Sequence, residues 1–414
     1  MTFPAPMTRI YEKDGQTFVY REAYLRLLWE GKDRRDLIKV ITGLRRCGKS
    51  TVLDQFSALL EEQGVPPERI VRIDLESRRF ENLRRKEALY EYIDARKHGK
   101  PLYVMIDEVQ MIDGWTEAVS GLYGDGDLDL YITGSNAFVL SSELATYLTG
   151  RRLDVMMLPL SFSEFLDIHP PDVSFNVRDR FSQYLMYGSI PMVDIGKSDD
   201  FNRILLGSLY SDIMEKDVES RLRATVDNHK LKAVALFLLD NIGNLSSVNG
   251  IATASGTDGK TVKTYIDAYI QAFLFHCVQR YDVVGKKLLN TTEKYYIADF
   301  AMRNAALGKM PGEDPDRALE NIVYLELLRR GYTVRVGSFQ GREVDFAAFR
   351  DGSEEYYQVT MTMMSDETIE REVRSLRDIR DSYPKTVLSL DDIRRNPGDG
   401  IRHLNIIDWL LGSG

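Results

Sequence analysis

Apolar residues cluster in short runs over the first third of the chain, with helix-spaced apolar positions between them. Leu37-Ile-Lys-Val-Ile-Thr42 reads as a buried strand, and Thr51 to Gln63 as a helix with Val52, Leu53, Phe56, Leu59 and Leu60 on one face. A second strand is predicted at Arg69–Asp74, a third at Pro101–Asp107, a fourth at Leu128–Thr133 and a fifth at Leu153–Leu158. Helices are predicted over 85–98 and 115–122, and a short amphipathic helix over 19–33 precedes the first strand. Strands alternating with helices at this spacing predict an α/β fold: a parallel sheet with helices on both faces.

After Pro159 the pattern turns helical, over 161–168, 177–187 and 199–224. Residues 229–300 then have the form of a winged helix. Leu231–Asn241, Ser247–Ala254 and Asp258–Phe273 are its helices, and Phe275–Tyr281 and Tyr295–Ala298 its wing strands. From about 316 the order is helix, three strands, helix, strand: Leu319–Arg330, Thr333–Val336, Val344–Phe349, Tyr356–Met361, Asp366–Asp381 and Lys385–Leu390. The domains expected are therefore 1–160, 161–228, 229–312 and 313–414.

The turn after the first strand carries the chemistry. Gly43-Leu44-Arg45-Arg46-Cys47-Gly48-Lys49-Ser50 matches G-x-x-x-x-G-K-[ST], with Thr51 next and a helix following. Glycines let such a loop wrap phosphates, and the N–H groups at the helix start face the anion. Lys49 is expected on the β- and γ-phosphates of ATP, and Ser50 on Mg²⁺. The third strand delivers Asp107 and Glu108 at its C-terminal end, where ligands collect in open α/β sheets. Asp107 is the expected second magnesium residue and Glu108 the general base for the attacking water.

Four further features stay open at this level. The fourth strand ends in Thr133-Gly-Ser135-Asn136, either a sensor of the γ-phosphate through Ser135 or Asn136, or a plain turn. Arg151 and Arg152 are either a solvated pair or a source of transition-state stabilisation, in cis or on a neighbouring subunit. Arg45 and Arg46 raise the local potential, bind a partner, or are simply exposed. Cys47 precedes a helix start, where a thiol pKa tends to fall, or is a small residue that fits the loop.

Composition changes this picture little. The chain has 414 residues, 43% apolar and 28% charged, which suits two or three globular domains. Its net charge of −9 means that any nucleic-acid surface is local. Over 229–299, 8 Lys and Arg stand against 6 Asp and Glu, a surplus of +2 that is well short of a strong DNA footprint. Two cysteines, Cys47 and Cys277, exclude a disulfide framework. No signal-peptide pattern opens the chain and no apolar run is long enough to span a bilayer, so a cytoplasmic location without membrane contact is expected.

The stretches GLRRCGKST, LYVMIDEVQMIDGW, LYITGSNAFVLSSELATYLTGRR and LPLSFSEFL resemble prokaryotic AAA-type ATPases of the archaeal-ATPase group, related to the STAND clade. DNIGNLSSVNGIATASGTDGKTVKTYIDAYIQAFLF, KYYIADFAMRNA and GREVDFAAFRDG resemble the C-terminal domain of unknown function that usually follows this ATPase. The resemblance implies ATP binding and hydrolysis. It puts the sensor on Ser135 or Asn136 and the arginine finger on Arg151, which implies a homo-oligomer if the finger acts in trans. Cys47 departs from the small residue expected at its position.

The tail adds a second chemical possibility. Glu320, Asp345 and Gln358-Val-Thr360 fall where a PD-(D/E)XK nuclease carries its acids and lysine. One acid and the lysine are missing, so a degenerate nuclease-like α/β domain is expected. The functional expectation is an ATP-hydrolysing switch acting on double-stranded DNA. The alternatives are a signalling or defence switch that binds protein through its C-terminal half, and an ATP-controlled nuclease.

Overall fold

In a computed structural model of the chain, residues 3–4, 8–97, 99–135, 150–222 and 226–412 are described. The chain divides into two units, Met1–Pro159 with Gln271–Phe273, and Leu160–Ile270 with Leu274–Gly414.

The first unit opens with a hairpin, β1 (Ile10–Lys13) and β2 (Gln16–Val19), followed by α1 (Glu22–Glu30). The helix expected over 19–33 is thus shorter, and strand residues precede it. Asp14 and Gly15 make the turn, both with positive φ (51° and 74°), as a two-residue hairpin turn requires.

Then come β3 (Ile38–Gly43), α2 (Lys49–Glu62), β4 (Ile70–Asp74), α3 (Lys86–Asp94), β5 (Leu102–Asp107), α4 (Trp115–Gly124), β6 (Leu128–Gly134) and β7 (Arg152–Met157). They form a five-stranded sheet in the order β4-β5-β6-β3-β7, and every pairing is parallel. Every residue of β3, β5 and β6 is buried, because central parallel strands are covered on both faces. Strands β4 and β7 lie at the edges and keep polar residues on one side.

This order places the chemistry. Strand β6 lies between β3, which leads into the phosphate loop, and β5, which ends in Asp107. Ile106 pairs with Ile132 and Ile41 pairs with Thr133, so the end of β6 sits level with both. Ligands of open parallel sheets collect at such C-terminal edges.

The second unit begins with α5 (Phe162–Ile168), α6 (Val177–Tyr187) and α7 (Asp199–Ile213). Capping boxes start the first two: Ser161 with Glu164, and Asn176 with Asp179. The helix expected over 199–224 stops at Ile213 and continues as a π turn and a 3-10 turn to Arg221.

Next are α8 (Asn228–Asp240), α9 (Val248–Ser255), α10 (Gly259–Gln271), β8 (Phe275–Asp282) and β9 (Lys287–Ile297). After α11 (Phe300–Leu307) and α12 (Pro315–Arg329) come β10 (Thr333–Phe339), β11 (Arg342–Arg350), β12 (Ser353–Val359), α13 (Asp366–Asp378), β13 (Lys385–Ser389), β14 (Ile401–Asn405) and α14 (Ile406–Leu410). One seven-stranded sheet runs β14-β13-β12-β11-β10-β8-β9. The expected wing strands therefore belong to a sheet that continues beyond 312. Strand β8 pairs in parallel with β10 at Val336–Arg280, so the sheet crosses the expected boundary at 312/313. Among the described residues, no helix is long and apolar enough to cross a membrane.

Candidate active site

The loop from Gly43 to Thr51 joins β3 to α2, and its glycines are required by its shape. Gly43 has φ 151°, and a Cβ there would lie 2.2 Å from the Met157 carbonyl oxygen. Gly48 has φ 104° and begins α2. Arg46 adopts φ 66° without being glycine, a strained position of the kind that persists at functional loops.

Lys49 is buried, and its ammonium donates to the carbonyls of Gly43 (3.0 Å) and Leu44 (3.1 Å). Ser50 opens the helix on its exposed side, and Thr51 is half-buried. Leu44 is buried, Arg45 lies 3.4 Å from Glu76, and Arg46 is exposed. Cys47 is fully buried, with Sγ 3.7 Å from the Met157 carbonyl oxygen.

Asp107 and Glu108 differ in environment. Asp107 accepts the Thr133 hydroxyl at Oδ1 and the Arg72 guanidinium at Oδ2 (2.9 Å). Burial alone would raise its carboxyl. The Arg72 charge, with hydrogen bonds from Thr133, Ser50 and Arg72, holds it below the ordinary value instead. Glu108 has φ 54° and ψ 52°, a left-handed backbone, and its amide donates to Thr133 Oγ1 at 2.9 Å. Burial pushes its carboxyl up. Lys49 opposes that and the charge of Asp107 adds to it. Neighbouring carboxylates with pKa values pushed in opposite directions suit a metal ligand beside a general base.

These residues fit ATP and magnesium. Gly43 packs so closely on the β7 backbone that no side chain fits there, and among the described residues the buried Thr42 Oγ1 before it has no hydrogen-bond partner. A hydroxyl and an ionised carboxylate are the hard oxygen donors that magnesium takes. Ser50 and Asp107 would hold the ion, which would neutralise phosphate charge when bound.

The remaining expectations fare unevenly. Ser135 is buried, 3.5 Å from Gln110 Nε2, and Gln110 also donates to Glu108. Asn136 lies outside the described residues. Arg151 is corrected as a finger in cis. It precedes β7 at the end that pairs with Ile38, whereas the loop begins at Gly43, the opposite end of the same strand pair. Six residues of strand make about 20 Å. Arg151 lies instead over the Tyr123 ring, 5.7 Å from its centroid.

Three residues at the site escaped the sequence reading. Thr133 stands between the two acidic residues and the loop. Arg72 reaches from the edge strand β4 to Asp107. Arg21, buried before α1, donates to the Cys47 carbonyl (3.0 Å) and the Leu158 carbonyl (2.8 Å), tying the loop to the end of β7.

In the second unit, Glu320 on α12 and Asp345 on β11 do come together. The lysine missing from Gln358-Val-Thr360 has a counterpart in Lys294 of β9, which sits 2.9 Å from Glu320 and 2.6 Å from Glu343. Tyr296 donates to Glu320 at 2.5 Å. Burial pushes the Asp345 carboxyl well up, the charge of Glu320 adds to this, and Lys294 opposes it. Among the described residues, no group of three or more His, Cys, Asp or Glu could hold a metal ion.

Residues 35–166 match the model of an AAA domain, and 178–313 that of a domain of unknown function. An "Uncharacterized protein" of Haemophilus influenzae is 36% identical over 405 residues, covering 96% of this chain and 100% of its own length. Another, of Methanocaldococcus jannaschii, is 28% identical over 382 residues, covering 86% of this chain and 80% of its own. Among solved structures, the Aeropyrum pernix ORC1 protein in complex with DNA is 15% identical and covers 71% of this chain and 92% of its own, with a TM-score of 0.30. That superposition is too loose to bear on function.

Proposed function

This chain belongs to a family of AAA-domain proteins in which a domain of unknown function follows the phosphate-loop domain, and on that premise we propose that it binds ATP with magnesium at Gly43–Thr51 and hydrolyses it as a molecular switch. The observation that carries this reading is the meeting of Lys49, Ser50, Asp107, Glu108 and Thr133 at one edge of one sheet. In the proposed reaction, Lys49 leaves its two loop carbonyls for the phosphates. Glu108 takes a proton from the attacking water. Glu108 needs its raised pKa for that step, since a more basic carboxylate is the better acceptor.

The test is ATP binding and turnover in three proteins. Wild type should bind a fluorescent ATP analogue and release phosphate. Glu108→Gln should bind but turn over about 100-fold or more slowly. Lys49→Ala should lose binding. Equal turnover in wild type and Glu108→Gln would overturn the assignment of the base. With Arg151 remote from its own loop, a role for it requires the site of a neighbouring subunit, which concentration-dependent turnover would reveal.

Double-stranded DNA is the second reading, and one observation favours it. Ser246, between α8 and α9, forms an antiparallel bridge with Glu293 of β9. Three helices with a short strand segment after the first, followed by a hairpin, is the winged-helix order. Lys260 and Lys263 open the third helix and line a groove of about 730 Å³, although Asp267 and Glu293 line it too. Duplex binding should weaken steeply with salt and weaken further in Lys260→Ala/Lys263→Ala. Absence of binding at low salt would favour a protein partner.

A further inference from the structure

Arg72 is the one cationic side chain that the described contacts put directly on the Asp107 carboxylate. Its position follows from the sheet. It lies on β4, the edge neighbour of β5, two residues before Asp74, and Asp74 pairs with Asp107. The side chain therefore runs along the strand toward the C-terminal edge.

Its donors are spread over four acceptors, one of them the Ile73 carbonyl oxygen, 3.3 Å from Nη1. Nη2 lies 2.9 Å from Asp107 Oδ2 and 3.3 Å from the Ser50 carbonyl oxygen, and Nε lies 3.1 Å from Asp54 Oδ1 on α2. Asp54 is itself shared, since Lys13 on the β1–β2 hairpin reaches its other oxygen at 2.8 Å. Four charges form a line, Lys13-Asp54-Arg72-Asp107, from the amino-terminal hairpin to the metal-binding carboxylate.

We propose that Arg72 is a positioning residue that competes with magnesium for Asp107, with Asp54 as its alternative seat. The inference rests on the reading of the loop as an ATP and magnesium site. A guanidinium and a divalent cation on one carboxylate repel each other, and the low dielectric of a largely buried site strengthens that repulsion. Arg72 thus sets the magnesium concentration at which the site fills. Asp54 draws the guanidinium away from Asp107, and Lys13 weakens that pull by neutralising Asp54.

The experiment measures half-saturating magnesium by titrating MgCl₂ into full-length protein with a fluorescent, non-hydrolysable ATP analogue. Binding is the readout and turnover is not required. Arg72→Gln should lower half-saturating magnesium about tenfold, because it keeps hydrogen bonds and removes the charge. Arg72→Lys, which retains the charge, should stay within about twofold of wild type. Asp54→Asn should raise it several-fold by leaving Arg72 wholly on Asp107. A merely structural Arg72 would shift Gln and Lys variants alike. An unchanged or raised value in Arg72→Gln overturns the proposal. If that variant does not fold, an unchanged value in Asp54→Asn overturns it. Wild type that binds no nucleotide at any magnesium concentration overturns the ATP reading itself, a result distinct from both.

Discussion

The Thr133 hydroxyl donates its proton to Asp107 and, at the same oxygen, accepts the backbone amide of Glu108 at 2.9 Å. One side chain on β6 thereby orients the Asp107 carboxylate and pins the left-handed backbone at Glu108. Thr133→Val keeps the shape and removes both bonds. It removes one hydrogen bond from a buried carboxylate and leaves a buried amide unpaired, a loss of about 1–3 kcal/mol. We expect that loss in urea denaturation, with turnover down about tenfold or more. Thr133→Ser, which restores both bonds, should recover most of each.

Glu108 gives a pH signature. Its folded pKa is raised above 4.5 by burial, against the pull of Lys49. A base works deprotonated, so turnover should fall as pH drops through a value above 4.5. Stability has the opposite sign. A carboxyl whose pKa is raised by folding contributes stability below its unfolded value and loses it as pH rises. Glu108→Gln should therefore flatten that part of the stability–pH curve. A wild-type turnover profile flat down to pH 4.5 would contradict the assignment.

The candidate site was largely legible in the residues. Strands β3, β5 and β6 are buried throughout because both of their faces are covered, with Lys39 of β3 and Asp129 of β6 paired inside the sheet. The loop and Asp107-Glu108 are local motifs at the ends of such runs. What escaped depends on lateral strand order, which periodicity does not encode. Thr133 was passed over for its neighbours Ser135 and Asn136, since only the placing of β6 between β5 and β3 puts it on Asp107. Arg72 and Asp107 meet because β4 neighbours β5. Arg151 lies away from the loop of its own chain for a like reason, since it precedes β7 at the end that pairs with Ile38. The β1–β2 hairpin did carry a local signal, Asp14-Gly15, but its strands have only four residues each and alternate poorly.

Lys294 makes a third prediction. It is 3% exposed and bridges Glu320 and Glu343, with Asp345 beside them. Removing one partner of a buried ion cluster leaves the others uncompensated. Lys294→Met should cost about 3–5 kcal/mol, measured by urea denaturation at pH 7. Adding Glu320→Gln should recover part of that loss, because it removes one of the stranded charges. Additive losses in the double variant would show that the two residues act independently. The same cluster bears on the nuclease reading, because its acids already have a cation among them. Wild type should leave plasmid and single-stranded DNA intact with Mg²⁺ or Mn²⁺.

His276 makes the fourth. It lies on β8, its ring edge-on to Tyr324 with centroids 5.6 Å apart, and burial lowers its pKa from 6.5 to about 4. The unfolded chain takes up a proton near 6.5, and the folded one not until about 4. Between those values the unfolded state binds more protons, so stability falls as pH falls. The contribution is intact above 6.5 and gone below about 4, a change of up to about 3 kcal/mol. Other groups titrate in the same range, so the informative quantity is a difference. His276→Phe keeps an aromatic ring against Tyr324 and removes the proton site. Urea midpoints at pH 7, 5.5 and 4 should show the variant gaining on wild type at each step down. Asp314, held at about 2 by Lys309 and Arg303, begins to lose its contribution only below 3.8, outside that window. A constant gap between variant and wild type from pH 7 to 4 would mean that His276 titrates normally in the fold.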